Sequence, residues 1–112
     1  MDKMNQRPLE LLKNFCYYNF IQRDYQRAAH CLSSDIHWFG TGENEEVHNR
    51  RQAVAYLKNE ISSFPESYEL EYIEESEKLL FGDIGSAYAK VNVTGGGLFL
   101  PCRISMTTCV EE

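Results

Sequence analysis

Several features that would assign a function quickly are missing from this 112-residue chain. It has no run of about 18 apolar residues, so we predict no membrane-spanning segment. Its start, MDKMNQRPLELL, lacks the apolar stretch and cleavage site of a secretory signal, so we expect a cytoplasmic protein. The length predicts a single domain over residues 1–112, either complete or cut from a larger protein.

Positive charge is also scarce. Eleven lysines and arginines face 17 aspartates and glutamates, which gives a net charge of −6. Nucleic-acid binding requires a basic surface that displaces counterions from phosphates. The one basic pair, Arg50-Arg51, opens a predicted helix, so we expect no nucleic-acid partner.

No close spacing of cysteine or histidine suggests a disulfide framework or a metal centre. These residues are scattered along the chain, at Cys16, Cys31, Cys102, Cys109, His30, His37 and His48. Without a CxxC pair in a cytoplasmic chain, we interpret the cysteines as free thiols or small buried hydrophobes. We therefore predict no metal site and no cofactor.

Helical patterns dominate the first half. Apolar residues in segment 8–23 repeat at helical spacing, and Pro8 suits a first turn. Asp24 is a predicted N-cap for a second short helix over residues 25–33. Residues 36–40 then have the β-branched and aromatic composition of a strand.

A third helix follows, and it has the clearest signals. Asn49, three residues before Gln52, predicts a capping box. Val54, Leu57, Ile61 and Phe64 fall on one face of this helix, which Pro65 is expected to end.

Beyond Pro65 the apolar period changes to two, which is typical of half-exposed strands. We predict strands at residues 67–72, 79–81, 87–93 and 98–110, with the turn TGGG at 94–97. Pro101 in the last strand favours an edge position or a nearby bulge. The whole pattern predicts an α+β fold in which N-terminal helices pack on one face of a curved antiparallel sheet.

The order of these elements resembles the nuclear transport factor 2-like superfamily, and within it the SnoaL-like family. The segments that carry the resemblance are IHWFGTGE, NRRQAVAYLKNEI and SAYAKVNVTGGGLFLPCRISMTTCVEE. The resemblance implies a sheet that curls into a cone around the helices and leaves an apolar pocket. It also implies a homodimer formed through the sheet. Family members carry a further strand where this chain stops at Glu111-Glu112, so the final strand is expected to be missing.

The ketosteroid isomerase chemistry of the superfamily does not transfer to this chain. The positions that match the tyrosine and the carboxylate base of the isomerases hold Cys16 and Gly40, and neither can perform those roles. Dehydratase and cyclase members use pocket histidine, aspartate and tyrosine, for which the candidates here are His30, His37, Asp35 and Tyr18. We interpret His30 as partly buried and structural and Asp35 as a backbone-bonding residue, so no acid–base pair emerges.

Strand alternation places Trp38 towards the cone and His37 away from it. Trp38 then either lines a pocket or fills the core. The acidic loop Glu43–Glu46 is expected to be a solvated loop at the rim. The candidate ligand-binding residues are Tyr18, Trp38, Tyr56, Leu57 and Tyr88. Tyr88 shares a strand face with Lys90 and Asn92, and that face is alternatively a dimer surface.

Three hypotheses follow from this resemblance. The first is a noncatalytic SnoaL-like module that binds a small apolar ligand or acts as a sensor. The second is a small-molecule isomerase, dehydratase or cyclase, and the third is a purely structural dimerisation domain.

Overall fold

The computed structural model describes residues 7–34, 36–39, 45–62, 68–82 and 84–109. The elements in chain order are α1 (Pro8–Cys16), a π-helical turn (Tyr17–Ile21), α2 (Tyr25–His30), β1 (Trp38–Phe39), β2 (Glu46–Val47), α3 (Arg50–Ser62), β3 (Glu69–Phe81), β4 (Ile84–Gly95) and β5 (Leu98–Cys109). The expected α+β class is confirmed, because the N-terminal helices pack against an antiparallel sheet of order β3-β4-β5. This three-stranded sheet is neither closed nor strongly curled.

Helix α1 is fixed to the sheet at both its start and its buried face. Pro8 occupies the first turn as predicted, and Leu12 and Cys16 are completely buried. The Leu9 backbone N–H donates a 3.0 Å hydrogen bond to Glu77 Oε1, and Arg7 pairs with the same carboxylate. These two donors, the Leu9 amide first, hold the pKa of Glu77 below its ordinary value. A residue of β3 therefore caps the helix that covers it.

The central strand β4 alternates between buried and half-exposed side chains. Its helix-facing positions are small or β-branched: Gly85, Ala87, Ala89, Val91 and Val93. A Cβ atom on Gly85 would lie 2.6 Å from Pro8 Cγ, so the absence of a side chain allows α1 to approach the sheet.

The sheet corrects one prediction from the sequence. Segments 67–72 and 79–81 were expected to form separate strands, but residues 69–72 and 79–81 both belong to the continuous 13-residue strand β3. Both segments pair with β4, and the register shifts between Tyr72 and Glu74 mark a bulge rather than a chain break. Pro101 of β5 pairs with Asn92 of β4. Strand β5 lies at an edge of the described sheet, as predicted.

The two other helices begin at the predicted caps. Asp24 Oδ1 accepts a hydrogen bond from the Arg27 N–H at 3.1 Å, and Asn49 Oδ1 accepts one from the Gln52 N–H at 2.9 Å. Helix α2 ends at His30, three residues before the predicted end. The predicted contacts of Phe64 and the stop at Pro65 lie outside the described residues.

Helices α1 and α3 relate differently to the sheet. Helix α1 approaches all three strands, whereas the close backbone neighbours of α3 are α2, β2 and the π-helical turn. The side chain of Met106 reaches from β5 to the cluster of Leu32, Val47 and Ala53. Because α3 is not a close backbone neighbour of β5, the helix-facing side chains of this strand are only half-buried. They are Leu98, Leu100, Cys102, Ile104 and Met106. Within the described part of the chain, the helices are too short or too polar to cross a membrane.

Candidate functional site

Four of the five predicted pocket residues come together in one cluster. Leu57 of α3 is 3% exposed and packs with Ala28 and Ala29, and five half-buried aromatic side chains pack against them. Three of the five are the predicted residues Tyr18, Trp38 and Tyr56, and the other two are Phe15 and Tyr25. The rings of Trp38 and Tyr56 meet edge to face, with their centroids 5.7 Å apart and their planes at 84°. We call this group the aromatic cluster.

The hairpin formed by β1 and β2 orients Trp38. In its register Trp38 pairs with Val47, which is 1% exposed, so both side chains face the protein interior. His37, the preceding residue, is exposed. The predicted orientation of Trp38 and His37 is therefore confirmed, and it follows from strand alternation.

Tyr88 lies apart from the other four residues. It sits on β4 between the buried residues Ala87 and Ala89, which face the helices. Tyr88 itself therefore projects from the opposite face of the sheet, where its cross-strand partners are Ser76 and Ser105. The pocket grouping predicted from the sequence thus divides into an inner set of four residues and one outer residue.

The π-helical turn brings Tyr18 to the aromatic cluster. Such turns are rare and are often found at functional sites. The neighbouring residue Asn19 is 3% exposed, and its side-chain oxygen has no hydrogen-bond donor among the described residues. A buried acceptor of this kind is normally satisfied by an ordered water or a ligand.

Beside the aromatic cluster lies a polar group that the sequence analysis missed. The Tyr56 hydroxyl lies near the carboxylates of Glu60 and Glu45. Burial raises the pKa of Tyr56, and the charge of Glu60 raises it further. Burial is also the main cause that raises the pKa of Glu60 above its ordinary value. The i, i+4 spacing of Tyr56 and Glu60 on α3 was the available signal, since it places both on one helix face.

Met106 of β5 packs against the same cluster as Tyr56 of α3. The pKa of the half-buried Cys102 thiol on β5 is raised by burial and then by the charge of Glu60. Tyr56, Glu60 and Cys102 therefore border the same region as the half-buried apolar row of β5. We call this region the α3–β5 space.

The cysteines and His30 supply no chemistry here. Burial raises the pKa of the Cys16 thiol to about 12, so this residue is an inert core thiol. Cys16, Cys31 and Cys102 are free thiols as predicted. His30 was expected to be partly buried, but it is exposed at the end of α2 and its Nδ1 bonds the Gln26 carbonyl. Asp35, Gly40 and residues 43–44 lie outside the described residues.

The histidines are less scattered than the sequence suggested. The β1–β2 hairpin brings His37, Glu46 and His48 together on its outer face, and one ligand atom from each lies within 4.8 Å of the others. The expectation of no metal site rested on local spacing, which does not detect residues paired across a hairpin.

A separate cleft of about 380 Å³ lies beside α1, lined by Arg7, Leu9, Glu10, Lys13, Asn14 and Glu77. Its two basic residues are already paired with carboxylates. Arg7 pairs with Glu77, and Lys13 lies 2.8 Å from Glu75. The aromatic residues of the predicted pocket do not contribute to this cleft, so we do not regard it as the candidate site.

Comparison with known proteins gives one partial likeness. Over 64 residues, the chain is 35% identical to the large ribosomal subunit protein bL17 of Enterococcus faecalis (strain ATCC 700802 / V583). The match covers 57% of this chain and 50% of that protein, so the chain spans about half the length of the curated relative. No family model matches the chain. No solved structure matches it either.

Proposed function

We propose that this chain is a noncatalytic module of the nuclear transport factor 2-like, SnoaL-like type that binds a small, mainly apolar molecule in the α3–β5 space. The observation that carries the proposal is the placement of Tyr56 in the aromatic cluster with Glu60 beside it, where burial raises the pKa of both groups. Burying an ionisable group costs free energy, and such groups are concentrated at functional sites.

The packing around this pair supports a binding site. Ligand sites in proteins are mainly apolar and contain a few convergent polar groups. The aromatic cluster contributes the half-buried rings of Trp38 and Tyr56 to this site. Strand β5 contributes five apolar side chains that the helices leave half-buried. A core position would instead show the near-complete burial found along β4.

The order of the elements supports the superfamily assignment. Two helical segments, a short hairpin, a third helix and an antiparallel meander follow one another as the resemblance implies. The described sheet is flatter than a cone, so the proposed cavity depends on the distance between α3 and the sheet rather than on curling of the strands.

The polar groups define the ligand chemistry. Glu60 and Tyr56 together offer a carboxyl and a hydroxyl at one end of an apolar surface. The proposed ligand is therefore a compact apolar molecule with one hydrogen-bond donor, such as a hydroxyl or an amine. The net charge of −6 disfavours anionic ligands.

A thermal-shift screen of the purified chain against small metabolites and lipids tests the proposal. Trp38 is the only tryptophan, so every hit can be checked by an intrinsic fluorescence titration. We expect a saturable rise in melting temperature together with a change in Trp38 emission, because a ligand that binds only the folded state stabilises it.

Two variants locate the site of any hit. Glu60→Gln keeps the size of the side chain but removes its charge, and it should weaken binding. Tyr88→Phe is the matched control on the outer sheet face, and it should bind as the wild type does. Failure of the whole library to shift the melting temperature, or equal binding by Glu60→Gln, would contradict the proposed site.

The proposal includes a homodimer formed through the outer face of the sheet. That face carries Tyr88, and Phe99 at its edge is 60% exposed. A second exposed apolar surface lies at the β3–β4 turn, where Leu80 is 53% exposed. Sedimentation analysis of Phe99→Lys and Leu80→Lys distinguishes the two surfaces. Dissociation by Phe99→Lys alone is the expected result, and a wild-type monomer would contradict the dimer.

An isomerase, dehydratase or cyclase is the second candidate, and one observation favours it. Glu60 with a raised pKa next to a tyrosine hydroxyl has the composition of an acid–base pair. Turnover of a library hit by the wild type, lost in Glu60→Gln, would favour this candidate over simple binding.

The partial likeness to a ribosomal protein suggests an alternative function, as a component of the large ribosomal subunit. The acidic composition of the chain opposes it, since contact with RNA needs basic residues. We therefore propose no nucleic-acid partner. The three free thiols fit the reducing conditions of the cytoplasm, which we propose as the compartment.

A further inference from the structure

We propose that His37, Glu46 and His48 form a binding site for a divalent transition-metal ion such as Zn²⁺. This site is separate from the α3–β5 space and does not depend on the function proposed for it. We call it the hairpin triad.

The register of the β1–β2 hairpin creates the triad. Trp38 pairs with Val47 and Phe39 pairs with Glu46, so the same register places His37 opposite His48. Strand alternation then directs the triad away from the protein interior, which Trp38 and Val47 face. All three side chains are about half exposed, at 51% for His37 and Glu46 and 58% for His48. A metal ion can therefore reach them from solvent.

The distances within the triad approach those of a coordination sphere. His37 Nε2 lies 3.0 Å from Glu46 Oε2, and His48 Nε2 lies 3.3 Å from the same oxygen. Ligand atoms on a tetrahedral zinc ion with bonds of about 2.0–2.2 Å lie about 3.3–3.5 Å apart. All three ligand atoms lie within 4.8 Å of one another, so small side-chain rotations would complete the geometry.

The arrangement of the two imidazole rings favours this interpretation. Their centroids are 4.6 Å apart with an interplanar angle of 23°, and both Nε2 atoms are directed at one carboxylate oxygen. The hairpin thus brings three potential metal-ligating atoms, one from each residue, to within 4.8 Å of one another. Two imidazoles and a carboxylate are a ligand set that zinc readily accepts, and they leave a coordination position for water.

Binding would join the two strands of a very short hairpin. Each strand has only two residues, so the ladder itself contributes few hydrogen bonds. A metal ion held by both strands would stabilise the hairpin that positions Trp38 at the aromatic cluster.

Titration of the intact chain with Co²⁺, followed by visible absorption and by competition with Zn²⁺, tests the proposal. We expect saturation at one equivalent, and a rise in melting temperature when Zn²⁺ is added. Glu46→Gln and His48→Asn should each weaken binding by at least about tenfold, because even the loss of an outer partner of a ligand costs about 10–100-fold. His30→Asn is the matched control, since His30 is an exposed histidine outside the triad, and it should bind as the wild type does.

Circular dichroism without metal checks that the exposed substitutions leave the fold intact. Two outcomes would overturn the proposal: no saturable binding by the wild type, or binding that Glu46→Gln and His48→Asn leave unchanged. Either result would mean that the triad is only a hydrogen-bonded cluster of a carboxylate and two histidines.

Discussion

Helix α1 and helix α3 differ in how closely they pack against the sheet. Helix α1 lies close against the sheet, with Leu12 and Cys16 fully buried over a row of small β4 residues. Helix α3 stands beside β5 and carries the partly buried polar pair Tyr56 and Glu60. The difference shows how one small domain can separate stability from binding. The α1 region supplies the most deeply buried packing, and the α3 region keeps the half-buried apolar and ionisable groups of the proposed binding site.

The largest expected effect comes from removing packing in the α1 region. Leu12→Ala should lower the free energy of unfolding by about 2–5 kcal/mol, since Leu12 is 0% exposed and its loss leaves a cavity. Urea denaturation measures the change. Leu79→Ala is the control, because Leu79 is 73% exposed and its truncation should change stability by less than about 0.5 kcal/mol. Similar losses in both variants would contradict the placement of the core.

Gly85→Ala tests the close approach of α1 to the sheet. The new Cβ would lie 2.6 Å from Pro8 Cγ, and the rigid proline ring cannot rotate away. We expect a loss of about 1–3 kcal/mol in unfolding free energy, as for other overpacked sites. The double variant Pro8→Ala/Gly85→Ala should recover part of this loss. If Gly85→Ala unfolds like the wild type, α1 does not lie as close to the sheet as described.

Asn49→Ala tests how far α3 depends on its own cap. The Asn49 side chain satisfies the Gln52 N–H at 2.9 Å, and its loss should cost about 0.5–2 kcal/mol. Asn49→Asp keeps an acceptor oxygen and should retain nearly all of the stability. Equal melting temperatures for Asn49→Ala and the wild type would show that tertiary packing, rather than the cap, determines the start of α3.

The smallest effect concerns Glu60 and depends on pH. Its pKa is raised above the ordinary 4.5 in the folded state, so the folded state binds this proton more tightly than the unfolded state. The resulting stability is fully present below about pH 4.5 and is lost as the pH rises through the folded-state pKa.

Glu60→Gln should therefore raise the free energy of unfolding at pH 8 by less than about 1 kcal/mol, and the difference should shrink towards pH 4. Thermal denaturation across this pH range measures it, with Glu69→Gln on the exposed sheet face as the control. A Glu60→Gln variant that is less stable than the wild type at pH 8 would mean that the charge of Glu60 stabilises the fold.

Local patterns in the sequence predict most of the elements. The caps at Asp24 and Asn49, the alternation along β4 and the inward orientation of Trp38 all follow from spacing and side-chain chemistry over a few residues. The continuity of β3 was not predicted, because it depends on pairing with β4 along its full length. The early end of α2 at His30 was also missed.

The candidate site was predictable only in part. Four of the five predicted residues pack in one cluster, and their role in a ligand pocket stays a prediction: Tyr18, Trp38, Tyr56 and Leu57. Tyr88 was grouped with them because the sequence alone does not determine which face of β4 the helices cover. The Glu60–Cys102 proximity and the hairpin triad join residues distant in sequence, so local spacing could not reveal them.

Hydrogen exchange of backbone amides in the intact chain tests the contrast between the two regions most directly. We predict that the amides of α1 and β4 exchange only through global unfolding, at the full free energy of unfolding. The amides of α3 should exchange through local opening at a clearly lower free energy, since this helix lacks close contact with the sheet. If the amides of α3 are as strongly protected as those of α1 and β4, α3 is part of one uniform core, and the proposed division between a packed region and a binding region is wrong.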